Sequence, residues 1–446
     1  MAVELFYIEL AIIVVFFCVI FLIIFEKNRA LISLIGAFFI VFIVLFWHSS
    51  IPSSITIDFT EFVGSNLNIL TLIVGLMLLV EIFIESGVFE FIALKMIKIS
   101  KGSPSKIFLI FIFLTYGMSI IMANVGAILI IVPLTITTCR ILKIEKALPF
   151  FIVGEQISTV CSGIVLPISS IPNIIISTHL DFSFVDFLLF TAPFSLIILI
   201  FLIFFLKWRY LNKEDRLKEP PENLKKYVQD FDESSIIINK RFFNVSMISL
   251  FLLIFLIIAF QAYAHIVVMI CILFLLIFSK LEVEKILKKV DWNTIFFLIS
   301  LFIIIDTMKE FGILDYIASF ILTISGGNLF IGSFLILWIC GLTSGVVDNI
   351  PITLTLVSPI NNILTSQNAT LSQIKIVSTS LVIGASLGGC FTPIGSPSGV
   401  LTLQLAKEKG IKELNFKFYF KIGFLVTLIN FAIASVYIYV LSFFIL

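Results

Sequence analysis

Ten predominantly apolar runs dominate this chain: residues 5–25, 31–47, 66–85, 150–177, 184–206, 242–260, 266–278, 294–308, 376–406 and 418–446. A helix needs about 20 such residues to cross the hydrocarbon of a bilayer. With no water at that depth, every amide must find its partner inside its own segment, which a helix provides. Composition follows the same bias: 60% of residues are hydrophobic, 13% are charged, and the mean hydropathy is +1.20. Soluble domains are about half apolar and about a quarter charged, and single soluble cores do not grow large enough to absorb this excess. The chain therefore reads as an all-α polytopic membrane protein with the lipid bilayer as its partner. Soluble enzymes, secreted disulfide scaffolds and nucleic-acid binders are disfavoured, and a net charge of +1 implies no polyanionic partner.

Two further apolar stretches, 107–138 and 329–360, are too long for one simple span. Small or polar residues interrupt each at its centre: Met122-Ala123-Asn124-Val125-Gly126 in the first, and a segment ending Asp348-Asn349-Ile350-Pro351 in the second. Such segments are expected to enter and return on one side, with the tip buried in protein or facing water. Residues 1 to 26 carry no Lys or Arg, so the first run lacks the basic lead of a signal peptide and is expected to be a retained helix.

Lys and Arg accumulate on the cytoplasmic side of membranes. Ten spans and two hairpins place 27 of the 29 basic residues on one side, with Lys309 and Lys375 opposite. Both termini are thus expected outside, and the polar segment 207–241 is expected to be a cytoplasmic, solvated linker between residues 1–206 and 242–446.

These halves match each other. Glu81, Glu85, Gly87 and Glu90 align with Asp306, Glu310, Gly312 and Asp315 at an offset of 225, which also pairs Asn124 with Asn349. An offset of 226 pairs Pro167 with Pro393. Each half holds five crossings and one hairpin. Five is odd, so the second half is inverted relative to the first, and inverted repeats with discontinuous helices point to secondary transporters. The expected membrane is the plasma membrane.

Chemistry is expected at two matched pairs of breaks. One pair is the hairpin tips. The other is Pro167 to Asn173, with Ser169 and Ser170, and Thr392 to Gly399, with Gly395 and Ser396. Broken helices free amides and carbonyls inside the membrane; new N-termini favour anions and exposed carbonyls favour cations. Asn124, Gly126, Ser169, Ser170, Asn173, Asn349, Thr392, Gly395 and Ser396 are the candidate substrate- and ion-binding residues. Ionisable residues within spans are costly and usually functional. Glu155, read as beginning the helix before the first break, and Asp348 at the second tip are the leading proton- or sodium-linked carboxylates. Glu81 and Asp306, deep in their spans, are a second coupling pair or inter-helix structural acids. Sodium is expected near Asn124, Asn349 and Asp348, and no other cofactor. No span carries a mid-membrane Lys or Arg, so a bound anion would be met by helix ends and Asn, Ser or Thr side chains.

The six Cys lie far apart and His48, His179 and His265 lie outside long apolar runs, so no metal cluster is suggested. An intramembrane hydrolase is disfavoured by the absence of HExxH and of a mid-membrane His. A passive channel is disfavoured by the matched breaks. A primary pump would need a partner, as no GxxxxGK[ST] phosphate loop is present.

At four stretches the sequence resembles the ion transporter superfamily of arsenite permeases, NhaD-type sodium/proton antiporters, the P protein and dicarboxylate/citrate carriers. They are Asn124 to Thr135, Ser170 to Ser177, Asp348-Asn349-Ile350-Pro351 and Leu387 to Pro397. The resemblance implies a scaffold, a mobile unit holding hairpins and broken helices, elevator-type motion and a homodimer. On the arsenite-permease branch it also implies a separate ATPase subunit. Ala123 stands where that branch often carries Asp, and Ser398-Gly399 replaces the Asn common after the second break. The expected function is permeation of a small anion, such as arsenite or a carboxylate, coupled to H⁺ or Na⁺. A sodium/proton antiporter is the alternative.

Overall fold

The computed structural model describes residues 2–25, 28–52, 55, 57–122, 124–213, 216–230, 234, 237, 239–260, 263–279, 282–393 and 395–445. Every regular element among them is helical. The first half runs α1 (Ala2–Phe25), α2 (Arg29–Phe46), α3 (Phe59–Ser65), α4 (Leu67–Glu85), α5 (Val88–Ile99), α6 (Pro104–Ile121), α7 (Asn124–Ile141), α8 (Leu148–Ser162), α9 (Ile171–His179), α10 (Phe184–Asp186) and α11 (Ala192–Leu206). A wider turn joins α10 and α11 into one apolar helix, Phe184–Leu211. After α12 (Glu222–Gln229) the second half runs α13 (Lys240–Ala259), α14 (Ala264–Ser279), α15 (Val283–Leu287), α16 (Trp292–Glu310), α17 (Ile313–Ser325), α18 (Leu329–Ser344), α19 (Asn349–Ser366), α20 (Leu371–Gly388), α21 (Pro397–Glu408) and α22 (Phe416–Ile445).

Ten of these helices are long and apolar enough to cross a membrane, or 11 if α17 and α18, which meet at 119°, form one broken span. The number equals that of the apolar runs, but the membership differs. The ten include both α6 and α7 and leave out α14, at 16 residues, and the interrupted α8–α9. Large apolar side chains such as Phe17, Phe38, Phe204, Phe251 and Phe443 remain exposed, the surface that acyl chains would cover.

Local chemistry sets the boundaries. Asn28 accepts the Leu31 N–H at the start of α2, Asp291 the Thr294 N–H of α16, and Asn328 the Phe330 and Ile331 N–H groups of α18. Thr370 and Gln373 form a reciprocal capping box on α20. Gly87 and Gly312, with φ of 74° and 70°, turn the chain from α4 into α5 and from α16 into α17. These left-handed positions suit glycine because a Cβ is strained there. Sequence reading missed both helices that follow, because 12 and 13 residues fall short of a span.

The packing repeats itself. Helix α6 packs on α8, as α18 does on α20; α4 on α14, as α16 on α2; α1 on α2, as α13 on α14; and α7 on α21, as α19 on α9. The α18–α20 seam is tight: a Cβ on Gly384 would sit 2.7 Å from the Leu337 carbonyl oxygen, and one on Gly388 would sit 2.6 Å from that of Gly341. Lipid-facing helices gain little from apolar burial alone, so small residues that admit close backbone approach supply the contact.

The segment expected to be a solvated linker is partly tied down. Ser103 donates to Glu219, Lys225 pairs with Glu219 at 2.8 Å, and the Arg216 guanidinium lies 4.4 Å from the Phe150 ring centroid.

Candidate functional site

Each hairpin tip touches the break of the helix pair beside it. At the first, the Ser119 hydroxyl donates to Asn124 Oδ1 at 2.8 Å, and Ser169 donates to the Ile120 carbonyl at 2.9 Å. Helix α8 ends at Ser162 and α9 begins at Ile171, with Pro172 in its first turn, where the missing N–H costs nothing. Between them the Asn173 amide donates to the carbonyls of Gly163 (2.6 Å) and Leu166 (2.9 Å), and Ser170 donates to Gly163 (3.4 Å). Asn173 is fully buried, and its Oδ1 has no hydrogen-bond partner.

At the second, Thr392 donates to the Gly345 carbonyl (2.9 Å) and accepts the Gly395 N–H (3.1 Å). Ser396 caps α21 by accepting the Gly399 N–H. Asp348 caps α19 by accepting the Ile350 N–H at 3.0 Å, and Asn349 is the first residue of that helix. The other Asp348 oxygen is held by the guanidinium of Arg29. No span carries a mid-membrane Lys or Arg, yet a basic side chain from the end of α2 reaches this acid. Arg29 opens α2 and looked in the sequence like an ordinary interfacial flank, but the tip of α18–α19 comes to it. In this conformation each Asp348 oxygen thus accepts one donor, one of them a cation.

Glu155 is not at the start of its helix. It is the eighth residue of α8, fully buried, with Thr135 of α7 donating to Oε1 at 2.6 Å and Oε2 left without a partner. Its neighbour Gln156 reaches the other half: its amide donates to Ser396 at 3.2 Å, and its oxygen accepts the Tyr419 hydroxyl of α22. Sequence reasoning missed Thr135, Gln156, Tyr419 and Arg29. The one available signal was a Glu-Gln pair inside a helix with no other charged or amide side chain.

Tips and breaks thus gather Asn124, Ser169, Ser170 and Asn173 in one cluster and Asp348, Asn349, Thr392, Gly395 and Ser396 in another, with Gln156 joining Ser396 to α8. Gly126 lies apart, against Met122 and Val80. Glu81 and Asp306 stand outside both clusters, four residues from the ends of α4 and α16 and not deep in their spans. Lys289, just before α16, binds Glu85 and lies 3.7 Å from Glu81; these carboxylates raise its pKa above the usual lysine value. Asn66, at the start of α4, donates to Asp306 at 3.2 Å. Each acid thus meets the beginning of the other helix. The run Gly384-Ala385-Ser386-Leu387-Gly388 has the spacing of a nucleophile elbow, but it lies inside α20 and not on the strand-to-helix turn such an elbow requires. Among the described residues no group of three or more His, Cys, Asp or Glu could hold a metal ion.

A family model described as Citrate transporter matches residues 19–379. The chain belongs to the citrate transporter family. It is similar to a 46 kDa membrane protein of Mycobacterium leprae, 28% identical over 92% of this chain and 94% of that one. An uncharacterized transporter of Mycobacterium tuberculosis is 27% identical over 92% and 93%. The mouse P protein is 24% identical over 83% of this chain and 53% of its own length, so the chain spans about half of that relative. These citrate transporter family relationships agree with the superfamily its tip and break motifs resemble. The protein is a multi-pass membrane transporter.

Proposed function

We propose that the chain is a secondary active carrier of a small anion, a carboxylate before arsenite, driven by H⁺ or Na⁺. One observation carries the reading. Four helices, α7, α9, α19 and α21, all begin at tips or breaks, with Asn124, Ser170, Asp348 and Ser396 at their starts. Three of those N-terminal dipole ends have no acid at their starts, and beside two seams of polar side chains they favour an anion. The paired helix contacts support two inverted repeats, residues 1–206 and 242–446, each with a re-entrant hairpin and a broken helix. Repeats built this way suit an elevator-type displacement of tips and breaks past α1, α2, α13 and α14. On the charge bias, both termini lie outside.

The test is flux into proteoliposomes under imposed proton and sodium gradients, with citrate, succinate and arsenite as probes. Uptake of one probe that falls at least tenfold in Asn124→Ala is expected. No gradient-driven uptake of any probe defeats the anion reading.

Glu155, buried with one free oxygen, favours a second reading, sodium/proton antiport of the NhaD type. A sodium-dependent pH change in vesicles without any anion would select it.

A further inference from the structure

We propose that Arg29 is a tethered counter-ion that competes with the coupling cation for the Asp348 carboxylate, making it a positioning residue of the transport cycle. The proposal rests on the carrier reading above. The Asp348 side chain is 2% exposed and that of Arg29 is 26% exposed, so a base reaches inward from the surface to a buried acid. A buried carboxylate stripped of its partner is strongly disfavoured, so it requires some cation in every conformation. Here Oδ1 is taken by the start of α19 and Oδ2 by Arg29.

The two residues sit on different elements, which α16 joins by packing on both α2 and α19. Arg29 opens α2, which packs on α1 and α16, whereas Asp348 sits at a tip whose Gly345 carbonyl is bound to Thr392 of the second break. Any displacement of tip against α2 removes the guanidinium and leaves the carboxylate open to a mobile cation, H⁺ or Na⁺. Conversely, a cation arriving first releases the tip from α2.

The arrangement is one-sided. The residue matching Asp348 at the 225 offset is Ala123, which lies outside the described residues and whose side chain has no charge. Helix α14 stands to α4 as α2 stands to α16, and its opening residues line a cavity of about 130 Å³ with Asn68, Pro167, Ile168 and Thr178. Pro167 and Ile168 of the first break border that cavity. Other charged groups on helices against α19 are engaged elsewhere: Asp315 with Asn362, Lys375 with Asp186, Asp306 with Asn66 and His179 with the Ile175 carbonyl. Lys309 and Glu310 lie on the last turn of α16, beyond Asp306, and Asp291, at its start beside α2, binds Thr294.

The experiment is thermal unfolding of the purified full chain in detergent. Sodium is titrated against choline at fixed ionic strength, and protons are titrated separately between about pH 8.5 and 5.5 without sodium. In R29Q, the concentration of one cation giving half the stabilisation is expected to fall at least tenfold from wild type, which for protons is one pH unit. R29K is expected to shift the same way by less, since a point charge replaces the guanidinium fork. It stands in if R29Q does not fold. D348N is expected to lose that response. Equal midpoints in wild type and both Arg29 variants, an undiminished response in D348N, or no response of R29Q to either cation would overturn the proposal. Uptake is measured separately, and its absence beside an intact cation response defeats the carrier reading alone.

Discussion

Gln156 of α8 donates its side-chain amide to Ser396 of the second break, 3.2 Å away and 240 positions later in the chain. The same side chain accepts the hydroxyl of Tyr419, and all three residues are buried. This junction ties α8 of one half to α21 and α22 of the other. Gln156→Leu would leave the Tyr419 hydroxyl and Ser396 without it, a loss of about 1–3 kcal/mol. Tyr419→Phe removes the same bond from the other end. In a double-mutant cycle read by thermal unfolding, the two losses are expected to be markedly less than additive. Full additivity would mean that the contact contributes nothing.

Glu155→Gln keeps the shape of the side chain and its acceptor for Thr135 but cannot exchange a proton or carry charge. Gradient-driven accumulation is expected to fall at least tenfold, while exchange of substrate between equal pools continues. Accumulation at the wild-type level would remove Glu155 from the coupling machinery.

Asn173 satisfies two carbonyls that the interruption between α8 and α9 strands in the protein interior. Asn173→Ala is expected to lower stability by about 1–3 kcal/mol. Asn173→Asp should fare no better, since an ionised carboxylate has no donor to offer. A chemical-denaturation series in detergent compares them. Restoration of wild-type stability by Asp would show that the carbonyls are satisfied another way.

Gly384→Leu puts a branched side chain where a Cβ already meets the Leu337 carbonyl at 2.7 Å. Backbone cannot step aside as a flexible side chain can, so the cost is expected to reach at least the ~1–3 kcal/mol of ordinary overpacking. Yield of monodisperse protein in size-exclusion chromatography should drop sharply. An unchanged profile would contradict the tight α18–α20 seam.

Most of this architecture was legible because its signals are local. An apolar run declares a helix by its length, and Asn-Val-Gly or Asp-Asn-Ile-Pro declares an interruption by its chemistry, so α6–α7 and α18–α19 emerge almost at their boundaries. Helices α5 and α17 did not, because their lengths resemble those of connectors and only the left-handed Gly87 and Gly312 announce them. The site was half legible. Asn173 and Thr392 serve carbonyls within reach of their own segment or its neighbouring hairpin, and the breaks advertise them. Arg29 with Asp348, and Gln156 with Tyr419, join residues 319 and 263 positions apart, a proximity set by packing alone. The expected depth of Glu81 and Asp306 failed for a related reason: a run of apolar residues does not say where along it the bilayer is centred.

The first tip is a short connection. Between α6 and α7 stand only Met122 and residue 123, and Met122 is buried. Rotation about a hinge needs several backbone torsions free to change. A connection this short leaves α6 and α7 little freedom to move independently. A push at the Ile141 end of α7 reaches Asn124, about 26 Å away at 1.5 Å per residue, past the interior Pro133. On the carrier reading, ligands that wedge at the far ends of α6 and α7 should then hinder transport without touching the tip.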